Sequence, residues 1–164
     1  MHPDSVPGTG TDAAMTLAIT PESPLTDDAT VLIAGSETAL RAHYTAEECF
    51  SFDATQLAAP GVTFLVARNE GRAVGCVALV NRGTYGEIRR LYVPQAARGR
   101  GVARALMARL ESYARAAGLS SVKLETGTRL GPAVRLYHTL GYTRCGPFAD
   151  YANSPVSTFM EKLL

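Results

Sequence analysis

The run Ile88-Arg-Arg-Leu-Tyr-Val-Pro94, followed by Arg98-Gly-Arg-Gly-Val-Ala-Arg-Ala-Leu-Met107, constrains this chain more than any other feature. It reads as a β-strand delivering its end into a glycine-bearing turn that opens a helix. Gly99 and Gly101 carry no Cβ, so the backbone can approach an anion closely there. The helix adds unpaired N–H groups and the positive end of its dipole. Spacing narrows the choice of anion. A dinucleotide fingerprint wants a small residue at the third position of G-x-G-x-x-G, where this chain has Arg104. A Walker A loop ends in Gly-Lys-Ser or Gly-Lys-Thr, and the only two lysines, Lys123 and Lys162, stand far from the turn. Taken alone, Arg98–Gly101 is equally an ordinary helix start or a short Arg-Gly tract that touches RNA.

A chain of 164 residues, 46% hydrophobic and 19% charged, has the composition of one soluble globular domain with a sizeable core. We expect that domain over 15–164, behind a disordered lead at 1–14 that is rich in Pro, Gly, Thr, Ser and Asp. No run approaches the roughly 18 to 20 apolar residues of a membrane span, and a net charge of +1 exerts no global pull on nucleic acid or a membrane surface. Cys49, Cys76 and Cys145 are odd in number and widely spaced, which predicts neither a disulfide framework nor zinc and suits a reducing cytoplasm. His2, His43 and His138 are scattered, so no metal is expected.

Periodicity predicts a first strand over Met15–Thr20 and helix over Asp27–Tyr44, capped by Asp27 or Asp28. An antiparallel hairpin follows, Val62–Ala67 with Ala73–Val80, and then a strand at Tyr85–Val93. Val102, Leu106, Met107, Leu110 and Ala114 recur at helical spacing, with Gly118 as the stop. A strand at Ser121–Thr126, a helix from Pro132 to Gly141 and a last strand over Val156–Leu163 complete a mixed α/β chain.

Within this order Arg98, Gly101 and Ala103 match the pattern Gln/Arg-x-x-Gly-x-Gly/Ala, and Leu136-Tyr137-His-Thr-Leu-Gly141-Tyr142 matches a later aromatic element. From about Thr63 onward the chain resembles the Gcn5-related N-acetyltransferase family. The resemblance implies a twisted, mostly antiparallel sheet of about six to seven strands, flanked by helices and splayed between the fourth and fifth. It also implies acetyl-coenzyme A as cosubstrate, with the pantetheine arm on the open edge of Leu91, Tyr92 and Val93. The pyrophosphate would then rest on Arg98, Gly99, Arg100, Gly101, Val102 and Ala103. Arg98 and Arg100 could instead be solvated charges.

The implied reaction is attack of an amine on a thioester, which needs one group to take a proton and one to supply it. Tyr137 corresponds to the family tyrosine that protonates sulfur, although its face also suits a core aromatic. For the base the resemblance points to Glu87, with Glu125 as second candidate and a surface carboxylate paired with Arg89 or Arg90 as the alternative for Glu87. Acceptor recognition is expected from Tyr44, Glu47, Glu48, Phe50, Glu125, Asp150 and Tyr151. Where the family often has an asparagine contact to coenzyme A, this chain has Leu130, and Arg129 or Thr128 could substitute. The acceptor implied is a small, amino-acid-like amine; protein N-termini or lysines are a second class, and a non-catalytic acyl-coenzyme A sensor is a third reading. A homodimer through exposed strand edges is compatible with the chain.

Overall fold

The computed structural model describes residues 16–45, 48, 53–151 and 154–164. The proposed lead, Met15, Glu47, Cys49 and Phe50 lie outside them. In chain order the elements are β1 (Leu17–Pro21), α1 (Asp27–Arg41), α2 (Ala54–Leu57), β2 (Val62–Asn69), β3 (Arg72–Asn81), β4 (Tyr85–Tyr92), α3 (Val102–Ala116), β5 (Ser121–Gly127), α4 (Gly131–Thr139), β6 (Thr143–Arg144) and β7 (Ser157–Leu163). The seven strands form one sheet in the order β1-β2-β3-β4-β5-β7-β6, antiparallel throughout except for the pair β4–β5.

The apolar runs of β2 and β3 are central strands covered on both faces, which explains why they show little polar alternation. Leu65, Ala67, Val77 and Leu79 join α3 through Leu106, Met107 and Leu110. Their neighbours in sequence, Phe64, Val66, Cys76 and Ala78, point the other way and meet Ala29, Leu32 and Ile33 of α1 and Leu57 of α2. The period-two pleat thus divides one strand pair between two helical layers.

Two element ends differ from the sequence expectation. The cap of α1 is Thr26, whose hydroxyl accepts from the Ala29 N–H at 3.1 Å, while Asp27 and Asp28 occupy the first turn and complement the dipole. That helix stops at Arg41, so Tyr44 belongs to the segment after it. The strand paired with β7 at the far edge, β6, is only two residues long; Cys145 adds one more bond to Phe159 before Gly146 and Pro147.

Leu106 is fully buried between α3 and the sheet. Leu106→Ala should lower unfolding free energy by about 2–5 kcal/mol through lost burial and a residual cavity, measured by urea denaturation.

Candidate active site

The ladder between β4 and β5 has only three pairs, Tyr85↔Ser121, Gly86↔Val122 and Glu87↔Lys123. Beyond Glu87 the two strands part. On the opposite side of β4, Cys76 faces Tyr92 while Ala78 faces Arg89, so β4 carries an extra residue against β3. The bulge is centred on Arg90, which adopts a left-handed backbone with φ 55°. A non-glycine residue is held there only if its surroundings compensate the strain. Two contacts do so. The Arg90 side chain is 4% exposed and bonds Glu37 Oε1 at 2.5 Å and Ser36 Oγ at 3.3 Å, both on α1. Beneath it the Cys76 thiol donates to the Arg90 carbonyl at 3.4 Å. Burial pushes that thiol up to about 12, against the opposing Arg90 charge, so it remains a neutral donor.

The splay opens a cleft of about 620 Å³. One half is lined by Leu91, Tyr92, Val93, Arg98, Ala103, Ala133, Leu136 and Tyr137. The turn leading into α3 follows directly from this wall. Gly99 has φ 78° and Gly101, the residue preceding the helix, has φ 80°; a side chain there would strain the backbone although no atom stands within 4 Å of a would-be Cβ. Gly101 provides no side-chain cap, so no side chain at that position satisfies the first N–H groups of α3. Arg98 does not simply project into solvent, since its Nε donates to the Val93 carbonyl at 2.8 Å and braces the strand end. Arg100 is exposed, Val102 is buried in the core, and neither these nor the two glycines line the cleft itself.

The second half is lined by Tyr44, Glu48, Arg89, Glu125, Arg129 and Tyr151, among others. Glu87 stands behind this wall and is completely buried. Its Oε1 accepts from Arg82 Nε at 3.1 Å and Nη2 at 2.9 Å; its Oε2 accepts from Arg89 Nε at 2.6 Å and Tyr151 Oη at 2.7 Å. The sequence reading had Glu87 either as a base beside the acceptor or as an exposed strand carboxylate. The structure shows the expected pairing with Arg89, but on a buried carboxylate with both oxygens engaged. Arg89 in turn stacks over the Tyr151 ring at 5.1 Å.

Glu125 is half-buried and faces the cleft. Burial pushes its carboxyl above the ordinary range, opposed by the Ser157 hydroxyl and the Arg89 charge and reinforced by the Glu87 charge. Tyr137 is buried within the same wall, and burial together with the Glu125 charge pushes its hydroxyl above the usual tyrosine value. It packs edge-on against Tyr142 at 5.8 Å, so the same ring serves the core and the cleft.

The comparisons agree with this geometry. Residues 31–142 match the acetyltransferase (GNAT) family. An IAA acetyltransferase of Azospirillum brasilense is 43% identical over 150 residues, which cover 90% of this chain and 98% of that one. The chain belongs to the GNAT acetyltransferases. The N-acetyltransferase YsnE of Bacillus subtilis is 35% identical over 66% of this chain and 74% of its own. Among solved structures, an acyl-CoA N-acyltransferase of Klebsiella pneumoniae superposes with a TM-score of 0.76 at 32% identity, covering 91% of this chain and 98% of that chain. The protein is thus an acyltransferase of the N-acetyltransferase type, and its mixed sheet with a parallel β4–β5 pair is the fold of these relatives.

Sequence reasoning did not find the supports of this GNAT site. Arg82, Arg90 with Ser36 and Glu37, and the contacts of Arg129 all join residues whose association follows no local periodicity. The Arg129 side chain lines the cleft and bonds the segment after α1 through Nη1. Among the described residues no group of three or more His, Cys, Asp or Glu is gathered in metal-binding fashion, and no helix is long and apolar enough to cross a membrane.

Tyr151→Phe removes a hydroxyl donor from the buried Glu87 carboxylate while keeping the ring. Unfolding free energy should fall by about 1–3 kcal/mol, measured by urea denaturation, because the acceptor stays buried without that partner.

Proposed function

We propose that residues 15–164 form one catalytic domain that moves an acetyl group from acetyl-coenzyme A to the amine of a small, amino-acid-like acceptor, with both substrates in the cleft together. The observation that carries this reading is the open edge of β4 beyond Glu87, followed after a short turn at Gln95–Ala97 by the glycine-bearing start of α3, which has no side-chain cap. Leu91, Tyr92 and Val93 offer backbone groups to an amide-bearing arm, and the N–H groups from Gly99 to Ala103 suit a pyrophosphate. Bound acetyl-coenzyme A supplies the activated thioester.

The protein's own groups manage the protons. Glu125 takes one from the acceptor ammonium, freeing the nitrogen lone pair for attack. Tyr137 keeps its hydroxyl protonated through the neutral range and donates to the departing sulfur. The attacking nitrogen loses a further proton as the amide forms, so the overall reaction releases one proton to solvent. We assign the base to Glu125 rather than Glu87 because Glu125 faces the cleft with a raised pKa, whereas both Glu87 oxygens already accept from arginine or tyrosine. Glu87 then serves by holding Arg89 and Tyr151 in the wall.

Isothermal titration with acetyl-coenzyme A, followed by thiol release against a panel of amines, tests the reading; absence of binding would overturn it. Gly101→Ala and Gly101→Glu share the same backbone strain, but only the second adds a carboxylate at the turn. Gly101→Glu should abolish acetyl-coenzyme A binding while Gly101→Ala keeps measurable affinity. Tyr137→Phe should reduce turnover with cofactor affinity retained.

The pH dependence has a definite sign. Glu125 accepts a proton only when ionised, so kcat/KM should fall towards low pH along a limb whose midpoint lies above the ordinary glutamate value of about 4.3. Glu125→Gln should remove that limb and lower the rate about 10²- to 10⁴-fold. A limb preserved in Glu125→Gln and lost in Glu87→Gln would return the base to Glu87. Stability has the opposite dependence: a carboxyl with a raised folded pKa contributes stability below its unfolded pKa and loses it as pH rises through the folded value.

A further inference from the structure

We infer that Arg129 is a specificity residue and that the acceptor amine carries a carboxylate, which the Arg129 guanidinium receives. The inference rests on acetyl transfer in the same cleft and goes beyond it by naming the anionic group of the substrate. Arg129 lines the acceptor half of the cleft directly after β5, close in sequence to Glu125. Its backbone N–H donates to Tyr44 Oη at 2.6 Å, and its guanidinium lies over the Tyr44 ring at 4.9 Å. Nη1 donates to the His43 carbonyl at 2.9 Å and to Glu48 Oε1 at 3.1 Å. The Thr45 N–H and the Arg129 charge together hold the Glu48 carboxyl below its ordinary range.

These contacts fix the plane of the guanidinium but use only one of its three nitrogens. Nε and Nη2 have no partner among the described residues. Together they form a planar fork that matches the two oxygens of a carboxylate. The support beneath is built into the fold, because Tyr44 rests against Gly127 and a Cβ at that position would overlap its hydroxyl. A flexible surface arginine would lose side-chain entropy on binding an anion; this one is largely ordered beforehand. An acceptor with an ammonium directed to Glu125 and a carboxylate on Arg129 would meet opposite charges at two places in one cleft.

The test uses the full chain with acetyl-coenzyme A and amines that carry a carboxylate at increasing distance from the nitrogen, each matched with the carboxamide of the same skeleton. Thiol release should favour the best carboxylate over its carboxamide by about 10- to 100-fold in kcat/KM, expressed mainly in KM. Arg129→Gln should erase that preference by raising KM for the carboxylate, with kcat and the acetyl-coenzyme A affinity by titration nearly unchanged. Arg129→Lys should recover only part of the preference, since a point charge lacks the fork. Equal use of acid and amide by the unmodified protein, or a preference that survives in Arg129→Gln, would overturn the inference and leave the transferase reading standing. Binding of acetyl-coenzyme A with no transfer to any amine would overturn both.

Discussion

The cleft depends on the early end of the β4–β5 ladder. Two parallel strands that could continue pairing instead separate after Glu87, and the reason lies on the other side of β4. An extra residue at Arg90 turns the strand and raises its twist, so that it cannot stay in register with β3 and β5 together. The left-handed backbone of Arg90 costs free energy, and a buried guanidinium bonded to Ser36 and Glu37 compensates it. Two side chains of α1 thereby hold the bulge that parts β4 from β5.

The part of the cleft around Arg89, Glu125 and Tyr151 is organised by a second buried group, Glu87. A carboxylate as deeply buried as Glu87 would be strongly unfavourable alone, and two arginines and a tyrosine hydroxyl satisfy it. The arrangement joins the β3–β4 turn, β4 and the segment before β7 through one group. It also separates two glutamates by environment. Glu87 is surrounded by donors, whereas Glu125 meets burial with less compensation and has a raised pKa. Two acids on neighbouring strands therefore sit in different electrostatic surroundings.

Much of the fold was legible because its signals are local. The near-continuous apolar runs of β2 and β3, the helical spacing of Val102 to Ala114 and the glycines before it each act within a few residues. The Arg98-x-x-Gly101-x-Ala103 motif and the Leu136-to-Tyr142 element together identified the family, and the matched region 31–142 includes both. Less local features were harder to read. The cap of α1 moved from Asp27 to Thr26 because hydroxyl and carboxylate are both competent caps and only backbone geometry chooses between them. The pairing of Glu87 with Arg89 was within reach of the sequence, but its burial and its bond to Tyr151, 64 residues on, were not, nor were the contacts of Arg129 with His43, 86 residues away.

What the sequence determined by itself is the set of elements, their order and the glycine turn that opens α3, because propensity, periodicity and backbone handedness act along the chain. Tertiary structure decided which strands part, which of two glutamates faces the cleft and that Arg129 is engaged among the described residues through Nη1. These are consequences of burial and charge pairing between distant segments. A carboxylate becomes a hub or a titrating group according to the donors that folding brings within about 3 Å of it, and no spacing along the chain encodes that distance.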